Sequence, residues 1–305
     1  MPLDPRAARF LEMMSVGRVK NAPRDIAERR LGLAKLMQFA KADRMSPPGE
    51  DLVLAHGVPA RIYTPEKVPA ETPGIIFFHG GGLVAGSMEL YDVIARALCE
   101  ESGCRLISVG YRLAPEYPFP AASEDAMAAT KAIYVRSHEF HIDPKRIALV
   151  GESGGGALAT LLAHDLPDLN FALLCLICPV LDFGTESKSR QEFAEGYLID
   201  RTVIEGDLAD VLQGKADRVD PRVSPYRLAN LSGLPPTIIH VAEYDPLRDE
   251  GEGFAAKLED ATVHRHAGMV HNFHALGGVI PQGREALKSI GQEIGERLRS
   301  AKARN

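Results

Sequence analysis

The sharpest chemical signal in the sequence is Gly151-Glu152-Ser153-Gly154-Gly155. A G-x-S-x-G pentapeptide is short enough to arise by chance, but its surroundings are specific. It follows an apolar run over 146–150 that reads as a strand. It precedes Ala157-Leu158-Ala159-Thr160-Leu161-Leu162, a small, helix-compatible run. A sharp strand-to-helix turn exposes the serine hydroxyl and sets it at a helix N-terminus, where backbone N–H groups face a developing anion. The flanking glycines have a steric reason: side chains at 151 and 155 would collide across such a turn. Ser153 is the candidate nucleophile.

Attack by a serine on a carbonyl creates an oxygen anion that needs fixed donors. His79-Gly80-Gly81-Gly82 follows the apolar run 75–78, and glycines let main-chain N–H groups approach closely. Gly80 and Gly81 are the expected donors, with Gly154 as the third. The loop lacks both the G-x-x-x-x-G-K-[ST] and the G-x-G-x-x-G phosphate patterns. His79 is expected to brace it.

A serine hydroxyl is a weak nucleophile and needs a base. Of the ten histidines, His271 lies in Gly268-Met269-Val270-His271-Asn272-Phe273, after the last expected strand. His274 is assigned to the start of a helix, and His138 and His141 to a solvated turn. His264 and His266 share one strand face with no evident third ligand, so no metal is expected. Asp245, just past a strand at 237–241, is the expected acid that orients the imidazole. Asp249 and Glu250 fall in the first turn of the next helix, where carboxylates are favoured, and Glu243 is the weakest rival. The chain order is Ser, Asp, His.

The elements that must position these groups alternate. Short apolar strands are expected at 75–78, 105–109, 146–150, 171–178, 237–241 and 262–266. Helices are expected at 88–101, 123–137, from 154, at 249–258 and at 281–301. Such alternation predicts an α/β fold: a mostly parallel sheet with helices on both faces. Two short strands at 51–55 and 60–63 read as a hairpin. Helices at 5–14 and 26–41 form an N-terminal segment (1–48) ahead of a catalytic domain (49–305), and 184–217 inserts two helical pieces. The segment and the insert together are expected to form a helical cap, because ligand sites lie above the carboxyl ends of parallel strands.

The bulk numbers narrow the function classes. With 45% hydrophobic and 25% charged residues the 305-residue chain is globular, and a net charge of −6 argues against nucleic acid or an anionic membrane as partner. Charged residues interrupt the first twenty positions, and no apolar run spans a bilayer, so the expected location is cytoplasmic. Cys175 and Cys178 sit in an apolar strand and read as inert core thiols.

Four motifs, taken in order, resemble the hormone-sensitive-lipase-like esterases of the α/β-hydrolase fold. They are His79-Gly80-Gly81-Gly82; Tyr111-Arg112-Leu113-Ala114-Pro115-Glu116 with Pro118-Phe119-Pro120-Ala121; the Ser153 pentapeptide; and Asp245-Pro246-Leu247-Arg248-Asp249 with His271. The resemblance runs from about residue 50 to the C-terminus. Three positions depart from the family pattern: Glu152 and Gly154 stand where Asp or Thr and Ala are usual, and Asn272 stands before Phe273 where Gly is usual. The resemblance implies hydrolysis of short- to medium-chain carboxylic esters through an acyl-enzyme, with no cofactor, and a homodimer as in many members. The Tyr111–Glu116 run reads as loop bracing. Leu83, Tyr197, Leu198 and Phe273 are candidate pocket residues. Cleavage of an amide, formamide, carbamate or lactone by the same trio is the alternative, and a non-catalytic receptor is a further one.

Overall fold

Ile75, Ile76, Phe77 and Phe78 are all buried, yet they serve two different cores. Ile76 and Phe78 join one cluster with Leu149, Leu174, Leu176, Ile239 and Val241. Ile75 and Phe77 join another with Ala148, Val150, Cys175, Ile177 and Ile238. The period of two along each strand splits every apolar run between the two faces, which is why these strands read as continuous apolar runs and not as alternating ones.

The computed structural model describes residues 2–16 and 25–301. Residues 17–24 of the expected N-terminal segment lie outside the described residues. The strands form one eight-stranded sheet. They are β1 (Glu50–Val53), β2 (Pro59–Tyr63), β3 (Thr72–Phe78), β4 (Arg105–Val109), β5 (Ile142–Glu152), β6 (Leu173–Ile177), β7 (Thr237–Tyr244) and β8 (Ala261–Val270). Their order is β1-β2-β4-β3-β5-β6-β7-β8. β1 pairs antiparallel with β2, and β2 with β4; every other neighbour is parallel.

Helices cover both faces. Ala126, Ala129 and Ile133 of α4 (Ala121–Val135), Leu158 and Leu162 of α5 (Gly154–Asp165) and Phe254 of α8 (Arg248–Ala255) fill the first cluster. Ile94 and Leu98 of α3 (Asp92–Ser102) and Leu287, Ile290 and Ile294 of α9 (Pro281–Ser300) fill the second. Ahead of the sheet lie α1 (Pro5–Ser15) and α2 (Ile26–Met37). Between β6 and β7 lie α6 (Lys188–Glu192) and α7 (Arg201–Leu212). Among the described residues no helix is long and apolar enough to cross a membrane.

Several boundaries depart from the expected ones, among them β5, which starts at Ile142 and ends at Glu152, and β7, which runs on to Tyr244. β8 continues past residue 266 to Val270, because Gly268 (φ +71°) and a register shift on β7 between Ala242 and Tyr244 bulge the pair and let it resume. α3 starts at Asp92, not near 88, because Ser87 ties a turn through its side chain to the Leu90 N–H and through its carbonyl to the Tyr91 N–H. α2 stops at Met37.

Candidate active site

β3, β5, β7 and β8 are all parallel members of the sheet, so the residues just after them meet at one edge. Those residues are His79 to Gly82, Ser153, Asp245 and His271. His271 Nε2 lies 3.2 Å from Ser153 Oγ, and His271 Nδ1 lies 2.8 Å from Asp245 Oδ2. Asp245 Oδ1 accepts from the Leu247 N–H at 2.9 Å, which fixes the carboxylate plane. Asp245 and His271 are buried and Ser153 nearly so.

Ser153 sits at φ +49°, the N-cap of α5, in a conformation that costs a non-glycine residue energy. Main-chain bonds over-determine it: its N–H donates to Ile177 O at 2.9 Å and its carbonyl accepts from Val180 at 2.9 Å. The glycine requirement is steric. A Cβ on Gly151 would lie 2.3 Å from Gly155 O, and one on Gly155 would lie 2.2 Å from Phe78 O.

The His271 imidazole is held above its ordinary value of 6.5. Burial pushes it down, but the charge of Asp245 and its hydrogen bond outweigh that, with smaller help from Glu152 and Glu250. His79 differs: burial lowers it to about 4, and its ring is stacked between Tyr91 and Tyr111. Its Nδ1 lies 2.8 Å from Gly80 O, so it braces the glycine loop from beneath.

Glu152, fully buried, reaches across to the same loop. Its Oε2 accepts from the Gly80 N–H at 3.0 Å. That donor is consumed, which corrects the expectation that Gly80 serves an oxyanion. The N–H groups of Gly81, Gly82 and Gly154 take no partner among the described residues, and a Cβ on Gly154 would lie 3.2 Å from Gly82 N.

Two cavities flank this point. The first, about 120 Å³, is lined by Ser153 and His271, by Gly81 and Gly82, by Arg29, Leu33 and Leu36 of α2, and by Val203, Ile204 and Asp207 of α7. A water needs roughly 10–15 Å³ by this measure, so the space exceeds a single water several-fold. The second, about 40 Å³, lies beyond Gly82 and Gly154 and is lined by Leu83, Phe119, Leu158 and Val211. Leu198 lines the first cavity and Leu83 the second, but two expected pocket residues do not reach either. Phe273 is fully buried against His266, and Tyr197 stacks on Tyr244 and meets Phe193 edge to face. The Tyr111–Glu116 run braces the site: the Tyr111 hydroxyl donates to His79 O at 2.6 Å, Arg112 pairs with Asp125 and Glu116 with Arg30 of α2. Arg29 and Asp207 went unnoticed in the sequence; 178 positions separate them and no local pattern marks either.

Cys178, Asp245 and His271 place ligand-type atoms within 4.8 Å of one another. Burial and the Asp245 charge push the Cys178 thiol well up, so it stays protonated, and Asp245 and His271 already bind each other. The donor set fits a proton relay better than a cation.

Comparison with known proteins agrees with the architecture. The α/β-hydrolase-fold family matches residues 75–275. The chain is 32% identical to an ethyl acetate hydrolase of Pseudomonas putida, over 98% of this chain and all of that one. It is 34% identical to an arylesterase of Saccharolobus solfataricus, over 95% and 97%. Among solved structures, an esterase of Pyrobaculum calidifontis superposes with TM-score 0.88 at 32% identity, covering 97% and 99%. The fold and the parallel-strand edge define an α/β hydrolase. The chain belongs to that family, in its hormone-sensitive-lipase-like branch of carboxylesterases.

Proposed function

We propose that this protein is a serine carboxylesterase acting on small-molecule esters of short to medium acyl chain. The observation that carries the reading is the continuous hydrogen-bonded chain from Ser153 Oγ through His271 to Asp245. An ester carbonyl oxygen points at the N–H groups of Gly81, Gly82 and Gly154. His271 takes the Ser153 proton as Oγ attacks the carbonyl carbon. The tetrahedral adduct collapses, the carbon–oxygen bond to the alcohol breaks, and His271 returns the proton to the departing alcohol. Water then repeats the sequence on the acyl-enzyme, releasing the carboxylic acid and free Ser153. Every charge that develops meets a group already in place, so the cycle calls for no cofactor.

Support for a cap comes from the walls of the main cavity. α2 from the 1–48 segment and α7 from the 184–217 insert both line it, above a 49–305 catalytic domain. A cytoplasmic location and a homodimer complete the proposal.

The test is a fluorophosphonate with mass mapping, alongside p-nitrophenyl esters of increasing chain length. Label is expected on Ser153 alone. Ser153→Ala should lose turnover by roughly 10⁴-fold or more with an unchanged melting curve. Wild-type turnover in that variant would overturn the assignment.

A further inference from the structure

Apart from Ser153, His271 and Asn272, the polar side chains lining the main cavity are Arg29 and Asp207, where α2 meets α7. There Arg29 donates from one terminal nitrogen to Asp207 Oδ1 and from the other to Asp210 Oδ2. Two carboxyl groups thus share one guanidinium. Asp207 Oδ2 has no partner among the described residues, and Asp207 lines the same cavity as Ser153 and His271.

Gly82 makes this placement possible. A Cβ there would lie 2.2 Å from Asp207 Oδ2 and 2.8 Å from Cγ. The carboxyl group therefore lies against the open face of the glycine loop. The Arg29 and Asp207 side chains are only 7% and 15% exposed, so bulk water screens them far less than a surface pair. Arg29 Nε is also buried and has no hydrogen-bond partner among the described residues. This is a polar group built into a substrate-sized cavity, not a solvated ion pair.

We propose that Asp207 is a specificity-determining residue whose free oxygen accepts a hydrogen bond from an ammonium group on the ester that Ser153 attacks. Preferred substrates then carry an amine on one arm, and esters bearing a carboxylate are disfavoured. The proposal rests on the serine-esterase reading and names its substrate class. Burial holds the Asp207 carboxyl up at about 7 against the pull of Arg29. An incoming cation favours the ionised form, so binding and ionisation support each other.

Isosteric pairs isolate the effect. Dimethylaminoethyl butyrate against isopentyl butyrate places the amine on the alcohol arm. Ethyl γ-(dimethylamino)butyrate against ethyl isoheptanoate places it on the acyl arm. At neutral pH the wild type should favour one amine over its hydrocarbon partner in kcat/KM by roughly tenfold or more, and which pair responds identifies the arm. Asp207→Asn should collapse that ratio. Asp210→Asn weakens the same interhelical contact but keeps the Asp207 carboxyl and its bond to Arg29, so it should preserve the ratio. Comparing rates as ratios at one pH cancels the protonation state of His271.

Three results would overturn the proposal. They are no preference for either amine in the wild type, which needs no variant to fold; an unchanged ratio in Asp207→Asn; and a preference for monoethyl succinate over its neutral analogue. Turnover of the hydrocarbon esters without an amine preference sinks the Asp207 assignment alone. No turnover of any ester, with Ser153 unlabelled by the fluorophosphonate, sinks the esterase reading itself.

Discussion

At the scale of single residues, the site separates two carboxyl groups that sit near one serine. Asp245 faces the His271 Nδ1 and favours its charged form. Glu152 instead faces a main-chain N–H and Tyr91, and burial raises its carboxyl above the ordinary range. Asp245 dominates the shift of the imidazole; Glu152 adds less to it and holds the loop. The consequence is measurable. In the proposed mechanism His271 must be neutral to take a proton, and its folded value is raised. kcat/KM is therefore expected to fall with decreasing pH along a limb centred above 6.5. Asp245→Asn removes the charge that opposes burial, so the limb should move to lower pH while the rate drops by roughly 10⁴-fold. A limb that stays put in that variant would mean another group controls the profile.

At the scale of elements, the turn between β5 and α5 is set by backbone contacts that side chains cannot relieve. Gly155 packs under the end of β3, with Phe78 O 2.2 Å and His79 O 2.5 Å from where a Cβ would stand. Gly155→Ala must therefore push α5 away from β3, moving Ser153 relative to the glycine loop. Overpacking of this kind costs roughly 1–3 kcal/mol, and both a lower Tm and a lower kcat are expected. Thermal melting and steady-state rates on one preparation check this; an unchanged kcat would show that the loop and the turn are not rigidly coupled.

A second element contact joins α6 to α8. Arg190 bonds Glu250 at 2.9 Å with both side chains buried. Arg190→Met leaves that carboxyl buried and unpaired, at a cost of about 3–5 kcal/mol. Glu250 is already pushed up to about 7 by burial, from an ordinary 4.5. A raised carboxyl means the folded chain holds the proton more tightly than the unfolded one, so the group's contribution to stability declines as pH rises from about 4.5 to about 7. The destabilisation by Arg190→Met should accordingly shrink towards acid pH. Denaturant melts across that range test it, and a pH-independent deficit would contradict it.

At the scale of the whole molecule, sheet order does what sequence distance cannot. Ser153, Asp245 and His271 span 118 positions from first to last. They meet because β5, β6, β7 and β8 lie side by side and run the same way. The alternation of strands and helices, the glycine-bounded serine turn and the Ser-Asp-His order were legible in the sequence. Each depends on local periodicity or turn sterics, which a linear string carries. The α/β architecture followed directly from that alternation. What was not legible depends on approach between remote surfaces. The Gly80 N–H looked free until Glu152, 72 positions away, was seen to take it. Phe273 and Tyr197 looked like pocket walls beside their neighbours, yet packing turns one into the core and the other against Tyr244. Arg29 and Asp207 carried no sign of each other. Apolar period and backbone sterics act between near neighbours and are written in residue order. Hydrogen-bond ownership and cavity shape are decided only when separate elements close to within a few ångströms, so they belong to the tertiary structure.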